Sequence, residues 1–278
     1  MSHSYRISFE FFPAKTEQGR KNLIAAQTAL LAKNPEFFSC TYGAGGSTRD
    51  NTLETILAMQ KVHSDAAPHL SSIGQEKAEI AEILQQYKDE GLTRIVALRG
   101  DLPSGMGLGQ SDLAYADDLV AFIREETGDH FTLEVAAYPE MHPQARSFAD
   151  DIAHFKRKID AGANNGITQY FYNPDAYAFY IDELAKIGCD APIYPGIMPI
   201  MNLANLLRFS KGCGAEVPRW LEARLNDIKD DDEAVIEYGI DTVTRLCERL
   251  LAMGAPGLHF YTMNRSEISL RVLDNLGL

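Results

Sequence analysis

Apolar residues along the chain gather into short β-rich runs that alternate, from end to end, with stretches patterned at helical spacing. Eight runs read as strands: Tyr5 to Phe11, Phe37 to Thr41, Pro68 to Ile73, Arg94 to Gly100, Thr132 to Tyr138, Gly166 to Tyr172, Ile193 to Met198, and Gly257 to Met263. Each is followed by at least one helical stretch. Ile80, Ile83, Leu84 and Tyr87 stand at i, i+3, i+4 and i+7, with Gly91 placed to end that helix. Phe148, Ile152, Phe155 and Ile159 form a second stripe, with Gly162 just beyond it. Asn264 predicts a helix N-cap and Glu267 completes a capping box. The acidic run Asp230, Asp231, Asp232 and Glu233 precedes a stripe at Ile236, Ile240 and Val243, where negative charge complements the helix dipole.

Eight βα units in 278 residues average about 35 residues each, the size of a (β/α)8 barrel. The expected fold is therefore an α/β TIM barrel, a single domain over residues 1–278. A doubly wound sheet uses the same alternation, but its nucleotide-binding form wants GxGxxG after the first strand, where FEFFPAKTEQG stands instead. The clusters GAGGST from Gly43 and GMGLG from Gly105 also miss that spacing and read as loops at the barrel mouth. The extended connection between strands seven and eight, Pro199 to Pro256, must hold more than one helix and is a candidate lid or substrate loop.

Composition narrows the picture little: 45% hydrophobic and 23% charged residues exclude collagen-like and disordered classes. A net charge of −13 argues against a nucleic-acid partner. No secretion signal and no apolar run approaching 18 residues is present, so the expectation is a soluble cytoplasmic protein without membrane contact. Cys40, Cys189, Cys213 and Cys247 form no CxxC pair and suit buried packing in a reduced compartment.

Barrel sites form where strands end. Alternation in the first strand sends Ile7, Phe9 and Phe11 toward the helices and Ser8 and Glu10 into the interior. Desolvation is expected to raise the Glu10 pKa, as a general acid requires; the other reading is a carboxylate paired with a basic neighbour. Asp101 follows the fourth strand within ALRGD, where it either reaches a ligand over the barrel or pairs with Arg99. Thr41, Tyr42, His69, Tyr138 and Gln169 outline a polar, aromatic mouth, although each alone is more often structural. Glu140 and His142 lack metal-ligand spacing with Asp101 or His69, and no metal is expected. Asp151, His154 and Lys158 share one helix face beside Arg157; this is ordinarily a solvated face, unless a phosphate lies against it.

Taken in order, SFEFFP, TYGA, APHL, ALRGDLP, AAYPEMHP, KRKIDAGAN, ITQYFY, YPGIMPI and HFYTMNR resemble the methylenetetrahydrofolate reductases from Ser8 to the final helix. The resemblance is to a bacterial-type enzyme of the catalytic barrel alone, with nothing after residue 278 for the regulatory domain of animal relatives. It implies a barrel that holds FAD without a Rossmann motif. It also implies reduction of 5,10-methylenetetrahydrofolate to 5-methyltetrahydrofolate by a ping-pong mechanism, with NADH or NADPH as co-substrate, in one-carbon metabolism and methionine biosynthesis. A homo-oligomer is likewise expected.

By the same resemblance, Glu10 is the general acid and Asp101 the carboxylate that supports the iminium cation and contacts the pterin. Flavin contacts fall on Tyr42, Ala44, His69, Arg99, Gly100, Asp101, Tyr115, Ala116, Tyr138, His142, Asp151, Arg157 and Lys158, with Thr41 touching the nicotinamide. Gln169, Asn205, Phe209 and Arg265 resemble groups that bind folate or the nicotinamide nucleotide. His154 stands where relatives carry Asn, on the cofactor side, and Asn205 where they carry Gln. A flavin-free barrel lyase or aldolase using Glu10 and Asp101 is the alternative; its Schiff-base version wants a strand lysine, which none of the eight runs contains.

Overall fold

The computed structural model describes residues 5–42, 49–63, 65–100 and 113–278. Parallel strands β1 (Arg6–Phe11), β2 (Phe37–Cys40), β3 (Ala66–Ser71), β4 (Arg94–Leu98), β5 (Thr132–Ala137) and β6 (Asn165–Thr168) pair in chain order. Helices α1 (Glu17–Leu30), α2 (Arg49–Gln60), α3 (Lys77–Asp89), α4 (Ala116–Thr127), α5 (Phe148–Asp160) and α6 (Pro174–Lys186) each follow one of them. The predicted seventh strand arrives in two pieces, β7 (Ile193–Tyr194) and β8 (Gly196–Ile197), separated by Pro195.

That break closes the ring. Proline has no N–H to give a ladder, and the two pieces pair with different neighbours: Ile167 meets Tyr194 on one side, while Gly196 meets His259 of β9 (Gly257–Tyr261) on the other. The Pro195 carbonyl accepts from His259 N–H at 2.9 Å, and Thr168 Oγ1 accepts from Gly196 N–H at 2.8 Å. β9 then pairs with β1, completing the (β/α)8 barrel. The connection from Pro199 to Pro256 holds three helices, α7 (Leu203–Cys213), α8 (Arg219–Ile228) and α9 (Asp232–Ala252), before β9 and α10 (Glu267–Asn275).

Most strands end one or two residues short of the sequence reading, and three boundaries differ for a specific reason. β3 begins at Ala66 rather than Pro68, because Phe38 N–H already bonds the Asp65 carbonyl at 3.1 Å. β6 stops at Thr168 rather than Tyr172; the apolar run continues because Tyr170, Phe171 and Tyr172 are buried outside the ladder. α10 takes Ser266 as its N-cap, without a side-chain cap bond, so Asn264 is not the capping residue. Other caps follow the pattern: Asp231 accepts from Ala234 N–H to begin α9, and Ser147 accepts from Asp150 N–H to begin α5. Ile80, Ile83, Leu84 and Tyr87 are all buried on α3.

The main apolar core lies between sheet and helices, with Phe9, Phe11, Phe38 and Phe260 among its fully buried side chains. A small second cluster, Phe37, Ala67, Val96 and Ile167, fills the barrel interior. At the N-terminal ends of the strands Arg94 is buried among carboxylates: Nη2 lies 2.9 Å from Glu36 and 3.0 Å from Asp65, and Nη1 bonds Glu134, whose burial is nearly complete. Carboxylate charge raises the Arg94 pKa despite burial, and burial pushes Glu134 up against the pull of Arg94. This ionic plug stoppers the end opposite the site. No helix among the described residues is long and apolar enough to cross a membrane.

Candidate active site

The β1–β9 register sets Ser8 beside His259 and Glu10 beside Tyr261, all at inward-facing positions. Ser8 Oγ and His259 Nδ1 are 2.7 Å apart, and His259 Nε2 is 3.5 Å from Glu10 Oε2. On the other side, His69 Nε2 of β3 lies 3.3 Å from the same carboxylate oxygen. Both Nε2 atoms are buried without an aligned hydrogen bond among the described residues. Glu10 itself retains 17% side-chain exposure, so it is reachable from the mouth.

Here the expected pKa direction is reversed. Burial does raise the Glu10 pKa, but His69, followed by His259, outweighs it and brings the carboxyl down from 4.5 to about 2. The paired-carboxylate reading therefore holds for Glu10, and the aromatic neighbours on β1 do not govern it, since Phe9 and Phe11 face the helices. The sequence reading missed His259. The alternation of HFYTM carried the signal, because His259 and Tyr261 occupy one face of β9 while Leu258 and Phe260 occupy the other.

Tyr261 donates its hydroxyl to the Thr168 carbonyl at 2.7 Å. Burial raises its pKa well above the ordinary value, with Glu10, Tyr138 and Tyr170 adding to the effect, so it stays neutral between the acid group and the neighbouring cleft. That cleft encloses about 290 Å3, part of it open solvent, and is lined by Tyr170, Met198, Met201, Asn205, Phe209 and Met263, among others. Asn205 and Phe209 are thus brought together on α7, whose start is capped by the Asn202 side chain at 2.8 Å from Asn205 N. Arg208 lies 5.0 Å over the Phe209 ring, and Tyr170 bonds Ser210 at 2.9 Å. Gln169 follows β6, its N–H bonded to the Ala137 carbonyl at 2.8 Å, and Arg265 is exposed after β9. Neither lines the cleft.

A second group of predicted residues gathers around the β5–α5 connection. The Tyr138 and His142 rings meet edge to face at 4.6 Å, and Asp151 accepts from His142 N–H at 2.8 Å. Lys158 is buried and donates to the Ala136 carbonyl at 2.5 Å; burial lowers its pKa to about 8 against the pull of Asp151 and Asp117. Arg157 lies 3.3 Å from Asp117, and the Tyr115 ring lies 6.5 Å from His154 beside Ala116 at the start of α4. Asp151 and Lys158 are buried, so this is not a plain solvated face. Arg99 reaches Gln144 at 2.6 Å, and Gly100 has φ 89 where a Cβ would meet Ser71. Tyr42 accepts from Gln75 at 2.7 Å, while the Thr41 carbonyl accepts from Thr52 at 3.1 Å. Ala44, Asp101 and both glycine clusters lie outside the described residues. Glu140 and His142 do not converge on His69: Glu140 accepts from Glu216 N–H at 2.7 Å, and its burial raises the pKa to about 7.

Two cationic side chains with aromatic rings and a helix start beside them fit a dinucleotide cofactor, whose pyrophosphate needs charge and whose rings need flat partners.

Comparison with known proteins shows the family. The methylenetetrahydrofolate reductase family model matches residues 2–277. The Zea mays protein named methylenetetrahydrofolate reductase (NADH) 1 is 40% identical over 98% of the chain, which spans about half (48%) of that relative's length. The Escherichia coli 5,10-methylenetetrahydrofolate reductase is 37% identical, covering 98% of the chain and 90% of the relative. In fold, the chain superposes with a TM-score of 0.70 at 17% identity on a Clostridium thermocellum protein described as binding two copies of 5-methyl-5,6,7,8-tetrahydrofolic acid, covering 99% and 96% of the two chains. The chain belongs to the methylenetetrahydrofolate reductase family.

Proposed function

We propose that the protein reduces 5,10-methylenetetrahydrofolate to 5-methyltetrahydrofolate with a nicotinamide nucleotide and FAD. The observation that carries this reading is the Ser8–His259–Glu10–His69 array, a carboxylate set between two imidazoles at the mouth of a family barrel, beside an apolar cleft with an aromatic wall.

A bound flavin supplies hydride transfer between the two substrates. Tyr138, His142, Arg157, Lys158 and the start of α4 hold and orient that cofactor, with Tyr42, Arg99, Asp151 and His154 around them. Asn205 and Phe209 orient the folate, Phe209 by stacking. Glu10, with the His69 and His259 rings 3.3 and 3.5 Å from its carboxylate, delivers a proton to the bridging nitrogen of the folate. The carbon–nitrogen bond to that nitrogen breaks, leaving an iminium cation on the other nitrogen. Ionised Glu10, having given up the proton, and Asp101 favour that cation. Hydride addition then yields the methyl group. Ser8 fixes the imidazole tautomer that relays the next proton.

A cytoplasmic setting fits four free cysteines. The test is a visible spectrum followed by two anaerobic half-reactions. Oxidised-flavin bands, bleached by NADH or NADPH and restored by the folate, are expected. A protein that stays colourless with FAD and cleaves aldehydes would be a barrel lyase instead.

A further inference from the structure

The β1–β9 ladder ends at the pair Glu10–Tyr261, yet β1 remains held to the opposite chain for two residues more. Thr262 donates twice to the Glu10 carbonyl, from its N–H at 3.1 Å and its hydroxyl at 2.7 Å. The Thr262 hydroxyl in turn accepts from Asn264 N–H at 3.1 Å. Asn264 then grips the Phe12 peptide from both sides: Oδ1 accepts from Phe12 N–H at 3.0 Å and Nδ2 donates to the Phe12 carbonyl at 2.9 Å. A side-chain amide thus replaces the next rung of the ladder.

A backbone rung is impossible there. Met263 and Asn264 have φ of 53 and 57, consecutive left-handed positions that turn the chain out of the extended state. Asparagine tolerates that conformation and methionine does not favour it, so the turn needs support. Arg265 N–H closes it onto the Thr262 carbonyl at 3.0 Å. The turn also puts Met263 into the wall of the substrate cleft, which Asn264 does not line.

We infer that Asn264 is a positioning residue that sets Glu10 at a fixed depth relative to the cleft. One end of its clamp lies two residues beyond the acid; the other adjoins Met263 in the cleft wall. This rests on the functional reading above, in which Glu10 acts only when folate is reduced. Loss of the clamp therefore strikes one half-reaction, whereas a merely structural role affects both.

The experiment compares wild type, Asn264→Gly and Asn264→Ala in single-turnover measurements of each half-reaction. Asn264→Gly keeps the left-handed turn without strain and removes both bonds to Phe12; Asn264→Ala removes the bonds and adds strain. For Asn264→Gly, folate-dependent flavin reoxidation is expected to slow by about 10-fold to 100-fold, the scale of displacing a reacting group by about an ångström. Flavin reduction at saturating NADH should stay within about twofold of wild type, because orientation of the acid does not enter that step. Asn264→Ala should match Asn264→Gly in that split, with a lower melting temperature. Folate reduction by Asn264→Gly at the wild-type rate, or equal loss in both half-reactions, overturns the inference. Wild type that never reoxidises with folate defeats the functional reading, and the inference with it.

Discussion

The Nε2 atom of His259 lies 3.5 Å from Oε2 of Glu10, and the other nitrogen of the same imidazole, Nδ1, meets Ser8 Oγ at 2.7 Å. One buried histidine thus spans two successive inward positions of β1. Since Phe12 and Asn264 of the neighbouring clamp stand 252 positions apart, the mouth of the barrel is where distant parts of the sequence are sewn together.

Glu10→Gln removes the group that passes the proton while leaving a side chain of similar size. Folate reduction should fall by about 10²-fold or more, the range of general acid catalysis. Flavin reduction by NADH should persist. Stopped-flow measurement of both half-reactions checks this, and normal folate turnover would remove Glu10 from the mechanism.

His69 is the largest of the influences that lower Glu10 to about 2, so His69→Asn should move that pKa back toward 4.5. A carboxyl whose folded pKa lies below its unfolded value contributes stability that is present above the unfolded pKa and disappears as pH falls through the folded one. In wild type this contribution declines as pH falls from about 4.5 to about 2; the variant, with its folded and unfolded values closer together, has less of it at every pH above that window. Acid titrations followed by circular dichroism should show a higher unfolding midpoint for His69→Asn, and coincident curves would refute the coupling.

Arg94→Met should destabilise the protein by about 3–5 kcal/mol, because Glu134 is left buried without its partner. Burial already raises the Glu134 pKa, and loss of Arg94 raises it further, so the protonated acid is the form the folded variant tolerates. The deficit should therefore shrink as pH falls. Urea denaturation at pH 8 and pH 5 measures it, and Arg94→Met with Glu134→Met should recover much of the loss.

Gly196→Ala tests the closure of the barrel. An added Cβ would come within 2.7 Å of the Tyr261 ring and would also press on the Thr168 carbonyl. Overpacking of this kind costs about 1–3 kcal/mol. Thermal melts should show the loss, and a wild-type melting temperature would mean that the β8–β9 seam can open without penalty.

Much of the barrel could be read in the chain because hydrophobic period is local. The α3 stripe at Ile80, Ile83, Leu84 and Tyr87 needs only a 3.6-residue repeat, and the acidic start of α9 needs only a dipole. The run from Gly166 to Tyr172 misled as to strand length because burial against helices and burial in a sheet call for the same residues. Asn264 misled differently: its side chain suits a cap, but Phe12 offers two backbone bonds from across the fold.

The sequence by itself determined the βα rhythm, the inward face of Ser8 and Glu10, and, through its ordered motifs, the family. Only the tertiary structure decided the charge state of Glu10, because His69 and His259 reach it from other strands and electrostatic coupling depends on distance in space. It likewise decided that Pro195 divides a strand between two neighbours, that Met263 turns into the cleft, and that Lys158 is buried. Periodicity follows from the geometry of one strand or helix; pKa values, seams and clamps arise where elements distant in the chain come within a few ångströms.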